Sequence, residues 1–209
     1  MTDPTKSLIV AVLDRSASMA HIKTDTEGGF NTFIDEQRKQ PGSALVTLAQ
    51  FDDQYEIAYE NTPIADVPKL ELIPRGMTAL LDAVGKTITS VGVSLAGMDE
   101  NDRPATVIMV ILTDGYENSS REWNADAVKK LVTEQQEHYG WEFIFLGANL
   151  DALNVARGMG IAAGSAMAYT ASGAQVTNTM RSVGEYVTTT RGGAKAAFSQ
   201  SDRDAARGE

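Results

Sequence analysis

Three long apolar runs constrain the fold of this chain more than any other feature of its sequence. They are SLIVAVLD (Ser7 to Asp14), ATVIMVILTD (Ala105 to Asp114) and WEFIFLGAN (Trp141 to Asn149). Continuous apolar runs rich in β-branched residues are typical of strands that are buried on both faces, as in parallel sheets. Because segments of helical length lie between the runs, the sequence predicts an α/β fold with helices on both faces of a parallel sheet.

Three of the other segments have the periodicity of helices that pack on a sheet. In NADAVKKLVTEQQEHYG, Asn124 is suited to cap the helix and Gly140 follows its end. In LLDAVGKTITSVG the apolar side chains fall near one face: Leu80, Leu81, Val84, Ile88 and Val91. In GAQVTNTMRSVGEYVTTTR they form one stripe: Val176, Met180, Val183 and Val187.

One segment departs from the alternation of strand and helix. The strand-like runs Ala44 to Phe51 and Tyr55 to Asn61 are separated only by a short polar turn. A parallel crossover needs many more residues than this turn provides, so the two runs are predicted to pair as a hairpin. The hairpin places one antiparallel strand, Tyr55 to Asn61, at an edge of an otherwise parallel sheet.

The C-terminal quarter carries weaker signals. DALNVARGMG predicts a short helix and GSAMAYTA a short edge strand or loop. We predict a single domain over residues 1–189, since no linker or internal repeat divides the chain. Residues 190–209 form a small, polar and charged tail in which Phe198 is the one candidate anchor, so we expect this tail to be mobile or loosely docked.

Charge and composition narrow the classes of partner. The 209 residues carry a formal net charge of −10, which argues against binding to nucleic acid through its phosphates. The chain has no cysteine, which excludes disulfides and thiolate metal sites. No apolar run approaches membrane-spanning length, and the polar start MTDPTKS has no signal-peptide pattern, so we expect a cytoplasmic protein that does not bind membranes.

Five oxygen-bearing side chains fall where the predicted strands and loops converge. Asp14, Ser16 and Ser18 follow the first buried strand, and Asp114 ends the second. Thr78 opens a helix after a glycine-containing loop that leads toward that second strand. Ligands of open α/β sheets bind at the carboxyl ends of the parallel strands, so we expect these five side chains to meet there.

The chemistry of these five side chains points to a hard divalent cation. Carboxylates and hydroxyls are the ligands that Mg²⁺ prefers, with Mn²⁺ or Ca²⁺ as alternatives. Two carboxylates balance the charge of one such ion, and three hydroxyls add no further negative charge. An ion bound in this way retains affinity for one more anionic oxygen, and a carboxylate of another molecule is the natural donor.

Each residue also has a plain structural interpretation. Ser16 or Ser18 could cap the following helix, and Thr78 is suited to be an N-cap. Asp114 before a glycine could form a turn pair. Similarly, the adjacent carboxylates of Asp52 and Asp53 are interpreted as solvated residues of the hairpin turn.

The three motifs together resemble a known metal site. DRSAS, the threonine of GMTALLDA and the aspartate of LTDGYEN are similar to the metal-ion-dependent adhesion site (MIDAS) of the von Willebrand factor type A (VWA) domain. The resemblance covers about residues 5–165 and implies a Rossmann-like sheet of order 3-2-1-4-5-6. It further implies that Ser16, Ser18 and, depending on state, Thr78 bind Mg²⁺ directly, while Asp14 and Asp114 act directly or through water.

The resemblance implies a function as well as a fold. In such domains an acidic residue of a partner protein fills the open metal position, and FIFLGANLDALNVARGMGI resembles small intracellular bacterial and phage proteins of this type. We therefore expect a non-catalytic module that binds another protein through the ion. The candidate contact rim consists of Tyr116, Trp123 and His21, although Trp123 could equally hold the next helix in place.

Two other functions stay open at this point. A Mg²⁺-dependent phosphohydrolase of similar sheet class would also begin from Asp14, but it needs a second acid where the chain has Ser16. A structural or assembly protein could use the metal for stability alone. The sequence does not indicate the partner, the oligomeric state or the role of residues 166–209.

Overall fold

A computed structural model describes residues 2–148 and 151–209 of the chain. Within them, one sheet of six strands has the order β3-β2-β1-β4-β5-β6, which confirms the predicted fold class. The strands are β1 (Asp3–Asp14), β2 (Ser43–Phe51), β3 (Tyr55–Pro63), β4 (Pro104–Thr113), β5 (Glu142–Gly147) and β6 (Ala166–Ala168). The helices are α1 (Lys23–Gln37), α2 (Leu80–Gly97), α3 (Ala125–Tyr139), α4 (Ala152–Gly158), α5 (Gly173–Arg191) and α6 (Gln200–Arg207).

The first strand lies at the centre of the sheet and is buried on both faces. It pairs in parallel with β2 on one side and with β4 on the other. Alternate side chains of a strand point to opposite faces, so Leu8 and Val10 pack beneath α2, α3 and α4, whereas Ile9 and Ala11 pack beneath α1, α5 and α6. This double burial explains why the run lacks polar alternation.

The predicted hairpin is confirmed. Strands β2 and β3 pair antiparallel, with Phe51 opposite Tyr55 next to the turn and Leu45 opposite Pro63 at the far end. At the opposite edge the short β6 pairs in parallel with β5, as expected from GSAMAYTA. The predicted third run reached Asn149, which lies outside the described residues, and β5 itself ends at Gly147.

The caps of α3 are also confirmed. The side chain of Asn124 accepts a hydrogen bond from the backbone N–H of Ala127, and Gly140 ends the helix in the left-handed conformation with φ of 65°. The predicted stripe of α5 is buried against the sheet and α1: Val176, Met180, Val183 and Val187.

The expectation of a mobile or loosely docked tail is wrong. Ser199 and Asp202 form a capping box that begins α6, and the hydroxyl of Ser182 in α5 donates to Asp202 at 2.8 Å. Phe198 is buried, and its ring centroid lies 5.1 Å from that of Tyr186. The aromatic contact of Phe198 and the hydrogen bond from Ser182 to Asp202 therefore dock this polar segment on α5. The domain boundary at residue 189 stays a prediction.

None of the helices in the described part of the chain is long and apolar enough to cross a lipid bilayer.

We predict that Phe198→Ala lowers the free energy of unfolding by about 3 kcal/mol, because it removes a buried aromatic ring and leaves a cavity. Urea unfolding followed by circular dichroism measures the change. The exposed Ser201 of α6 provides a matched control, and Ser201→Ala is expected to change the free energy by less than about 0.5 kcal/mol. An equally small effect of Phe198→Ala would contradict the docking of the tail.

Candidate metal site

The pairing of β1 with β4 brings two carboxylates to one edge of the sheet. Leu13 of β1 pairs with Leu112 of β4 in parallel, so Asp14 and Asp114 both emerge at the carboxyl edge. From β1 the chain runs through α1 to β2 on one side, while β4 lies on the other side. The two carboxylates therefore lie at the switch point of the sheet, where α/β folds bind ligands.

Asp14 is fully buried and held by two hydrogen bonds. Its Oδ1 accepts the backbone N–H of Ser16 at 2.7 Å, and its Oδ2 accepts the hydroxyl of Thr113 at 2.6 Å. These two contacts fix the carboxylate and turn the chain so that Ser16 faces the same edge.

The serine hydroxyls link the first loop to Asp114. The Oγ atoms of Ser16 and Ser18 lie 3.1 Å apart, and the Ser18 hydroxyl donates to Asp114 Oδ1 at 2.7 Å. A Cβ placed on Gly115 would lie 3.0 Å from Thr78 Oγ1 and 3.6 Å from Ser18 Oγ. The structure thus brings together side chains from all three predicted motifs.

Two observations test whether this cluster fits a cation. The Oδ2 atom of Asp114 is buried and has no hydrogen-bond partner among the described residues, which is costly for a carboxylate oxygen. Gly115 leaves open the space between Thr78 and Ser18 that a side chain would fill. Both features fit a hard cation that accepts carboxylate and hydroxyl oxygens.

Burial makes the ionised form of both carboxylates costly. Burial raises the pKa of Asp14 to about 6, even though hydrogen bonds from Thr113 and Ser16 lower it, and the charge of Asp114 raises it further. Burial also raises the pKa of Asp114, against the hydrogen bond from Ser18 and the charge of His21. A bound dication would favour the ionised form of both groups.

The site differs in composition from clusters of acids and imidazoles. Over residues 2–148 and 151–209, no three His, Cys, Asp or Glu side chains are grouped so that they could hold a metal. The predicted set combines two carboxylates with three hydroxyls, so any ion bound here depends on hydroxyl oxygens for much of its shell.

The helix-cap interpretations are not supported. The N-cap position of α2 is Ala79 rather than Thr78, and the N-cap residue makes no side-chain capping hydrogen bond. Ser16 precedes a short 3₁₀ helix, Ala17–His21, without a capping hydrogen bond from its side chain. The hydroxyls of Thr78 and Ser16 are therefore not used as helix caps.

A set of hydrogen bonds between α2 and the loop after β4, called the clamp below, holds Thr78 beside Asp114. In the first turn of α2, the buried Asp82 carboxylate accepts the backbone N–H groups of Arg121, Glu122 and Trp123, at 2.9, 2.9 and 2.8 Å. Burial raises the pKa of Asp82, but these three hydrogen bonds and the charge of Lys86 outweigh burial and lower it.

The clamp also includes side chains of the loop that accept backbone N–H groups of α2. Glu117, in the loop, accepts the backbone N–H of Leu81 at 2.9 Å, while the Ser120 hydroxyl accepts the N–H of Asp82 at 3.0 Å. The side chain of Asn118 accepts the backbone N–H of Thr78 at 2.9 Å. Glu117, Asn118 and Ser120 were not predicted, although the polar run YENSSRE directly after Gly115 was a signal for them.

Tyr169 is a second group that the sequence analysis missed. It is buried after β6, and its hydroxyl donates to the carbonyl oxygen of Thr113 at 3.3 Å. The Thr113 hydroxyl in turn donates to Asp14, so Tyr169 helps to hold Asp14 in position through Thr113. Burial raises the pKa of Tyr169 well above its ordinary value, and the charges of Asp114 and Asp14 raise it further, so the phenol keeps its proton.

The interpretation of Asp52 as a solvated turn residue is wrong, whereas Asp53 is exposed as expected. Asp52 Oδ2 accepts the Nε–H of Arg15 at 3.0 Å and that of Arg75 at 2.7 Å, and Asp52 Oδ1 accepts the N–H of Gln54 at 2.6 Å. Burial raises the pKa of Asp52, but these hydrogen bonds and the two positive charges lower it overall. Asp52 therefore ties the hairpin turn to the loops that carry the site.

The three predicted rim residues differ in their surroundings. Tyr116 is 62% exposed, and His21 is exposed with its Nδ1 3.9 Å from Asp114 Oδ2. Trp123 packs on Gly85 of α2, so closely that a Cβ there would lie 2.3 Å from the indole ring. Trp123 therefore packs on α2, the preceding helix, rather than on the next helix as the alternative expected, and the role of the three residues in a contact rim stays a prediction.

Solved structures share this fold. Proximal thread matrix protein 1 (PTMP1) from the mussel byssus superposes with a TM-score of 0.64 at 14% identity, over 88% of this chain and 48% of the other. A PTMP1 structure described as having a zinc-occupied MIDAS motif gives a TM-score of 0.61 at 16% identity, over 89% and 47%. The ArnB paralog VWA2 from Sulfolobus acidocaldarius gives 0.51 at 17% identity, over 84% and 44%.

These comparisons establish the class of fold. No protein-family model matches the chain, and no curated protein matches it by sequence. The chain spans about half the length of the solved structures that it matches. Those structures have the VWA fold, and this chain has the same Rossmann-like fold.

We predict that Asp82→Asn lowers the free energy of unfolding by about 2 kcal/mol, because an amide replaces a carboxylate that accepts three backbone N–H groups. Urea unfolding measures this change. Glu122→Gln, which removes an exposed partner of Lys86, is the matched control and is expected to have little effect. If Asp82→Asn is as stable as the control, the clamp does not hold this loop.

The same carboxylate predicts a dependence on pH. Because the folded pKa of Asp82 is lowered, its stabilisation is complete above the unfolded pKa of about 3.9 and is lost as pH falls through the folded pKa. We expect the parent to lose more stability than Asp82→Asn between about pH 5 and pH 2. Parallel curves for the two proteins over this range would contradict the assignment.

Proposed function

We propose that this chain is a non-catalytic interaction module that binds another protein through a divalent cation. Asp14, Ser16, Ser18, Thr78 and Asp114 would hold the ion. The observation that carries the proposal is the buried Asp114 Oδ2, which lacks a hydrogen-bond partner among the described residues, in a carboxylate whose Oδ1 accepts the hydroxyl of Ser18. A cation supplies the missing partner and offsets the burial of two carboxylates.

Mg²⁺ is the ion we propose, because carboxylates and hydroxyls are hard oxygen ligands and Mg²⁺ retains exchangeable positions for further oxygens. Mn²⁺ and Ca²⁺ share this preference for oxygen. The zinc-occupied MIDAS motif described for one PTMP1 structure supports a divalent ion at this position of the fold. When bound, the ion would supply a positive centre that attracts an acidic side chain of a partner.

The protein's own residues would orient that contact rather than carry out a reaction. Asp14 is fixed by Ser16 and Thr113, and Thr78 is held by the clamp, so the oxygen atoms are placed before any ligand arrives. The residue two positions after Asp14 is Ser16, whose hydroxyl is not a general acid. These features favour binding over phosphoryl transfer.

We predict that Asp14→Ala and Thr78→Ala each weaken capture of a protein partner at least about tenfold while the chain stays folded. Affinity capture from extracts, with Mg²⁺ or with a chelator and read by mass spectrometry, measures this. Asp126→Asn removes an exposed carboxylate at the start of α3 and is the control, which should capture as the parent does. Capture that is indifferent to both the chelator and these variants would favour a structural role.

A separate assay tests the absence of catalysis. Incubation of the parent with a generic phosphate ester and Mg²⁺ is expected to give no turnover above background. Turnover that disappears in Asp14→Asn would contradict the binding module and establish a phosphohydrolase.

A further inference from the structure

The exposed apolar side chains of this chain are not distributed evenly. Among the described residues, five large apolar side chains are exposed, and three of them belong to the loops around the candidate metal site: Ile73, Met77 and Tyr116. The other two, Val93 and Tyr139, line a groove at the opposite end of the sheet, beside the start of β4.

Met77 and Tyr116 flank the same contact. Thr78 and Gly115 approach closely, since a Cβ on Gly115 would lie 3.0 Å from Thr78 Oγ1. Met77 directly precedes Thr78 and is 52% exposed, while Tyr116 directly follows Gly115 and is 62% exposed. Met77 and Tyr116 are therefore exposed residues next to this contact in sequence, on two different loops.

Hydrogen bonds fix the chain beside both apolar side chains. The loop after β4 is bonded to α2 through Asp82 and Glu117, and Glu117 directly follows Tyr116. Met77 follows Gly76, whose carbonyl accepts the N–H of Ala17 at 3.3 Å. Apolar groups held in this way on a rigid rim are typical of recognition surfaces.

The proposed ion, rather than the side chains of the protein, would supply the positive charge at this rim. Asp14 and Asp114 would be neutralised by the ion, and Arg75 lies two residues before Met77 with its side chain half exposed. Arg75 binds Asp52 through Nε, and the negative charges of Asp52, Glu56 and Asp53 raise its pKa, so its charge is already balanced. A local positive charge is needed for an acidic segment to approach a chain whose net charge is −10.

We propose that Met77 and Tyr116 select a partner segment in which the acidic residue that reaches the ion is flanked by an aliphatic or aromatic residue. This inference rests on the proposed function and specifies the partner of the same site. The acid would approach the ion, and the flanking side chain would cover the apolar rim. Burial of two exposed apolar side chains adds affinity that an acid alone does not provide.

A random display library of 12-residue peptides tests the proposal, selected on the parent protein in Mg²⁺. We expect the enriched peptides to carry Asp or Glu next to an aliphatic or aromatic residue. One enriched peptide, labelled with fluorescein, is then titrated by fluorescence polarisation. The double variant Met77→Ser with Tyr116→Ser is expected to bind it about tenfold or more weakly than the parent, because both apolar contacts are lost.

Val93→Ser is the matched control, since Val93 is 70% exposed but lies at the other end of the sheet, and it should bind as the parent does. Enriched peptides whose acids lack apolar neighbours, equal affinity for parent and double variant, or a failure to enrich any peptide would overturn the proposal. Enrichment that a chelator leaves unchanged would overturn the proposed metal-dependent function as well. If the double variant still binds the peptide and a chelator abolishes that binding, the proposed role of Met77 and Tyr116 is wrong, while the metal-dependent function stands.

Discussion

The parallel pairing of β1 with β4 is the constraint on which the site depends. It carries Asp14 and Asp114 to one edge of the sheet, where both carboxylates are shielded from water. Two like charges in that position raise the free energy of the folded state unless hydrogen bonds or a cation compensate. Hydrogen bonds satisfy Asp14, but they leave one oxygen of Asp114 without a partner among the described residues.

Residues outside the predicted ligand set hold the hydroxyl oxygens of the site in place. Asp82 and Glu117 bind the backbone of α2 to that of the loop after β4, and this contact sets the position of Thr78 relative to Asp114. On the other side, Asp52 joins the loops that contain Arg15 and Arg75. Carboxylates that bind backbone or guanidinium groups thus give the site its rigidity, which lowers the cost of binding.

The sequence predicted the sheet well because its signals are local and repeated. Continuous apolar runs indicate buried strands, and a short turn between Phe51 and Tyr55 permits only a hairpin. The clamp could not be predicted, because Asp82 and Glu117 resemble ordinary polar residues of a helix and a loop until the fold brings them together. Asp52 and the C-terminal tail were misjudged for the same reason, since their partners Arg75 and Tyr186 are distant in sequence.

The central claim is that the oxygen cluster at this edge binds one divalent cation. Titration of the chain with Mn²⁺, followed by electron paramagnetic resonance of the free ion, tests it most directly. We predict one bound Mn²⁺ per chain, which Mg²⁺ displaces and which is lost in Asp114→Ala. Mn²⁺ that stays free in the presence of folded protein, or that binds Asp114→Ala as well as the parent, would contradict it.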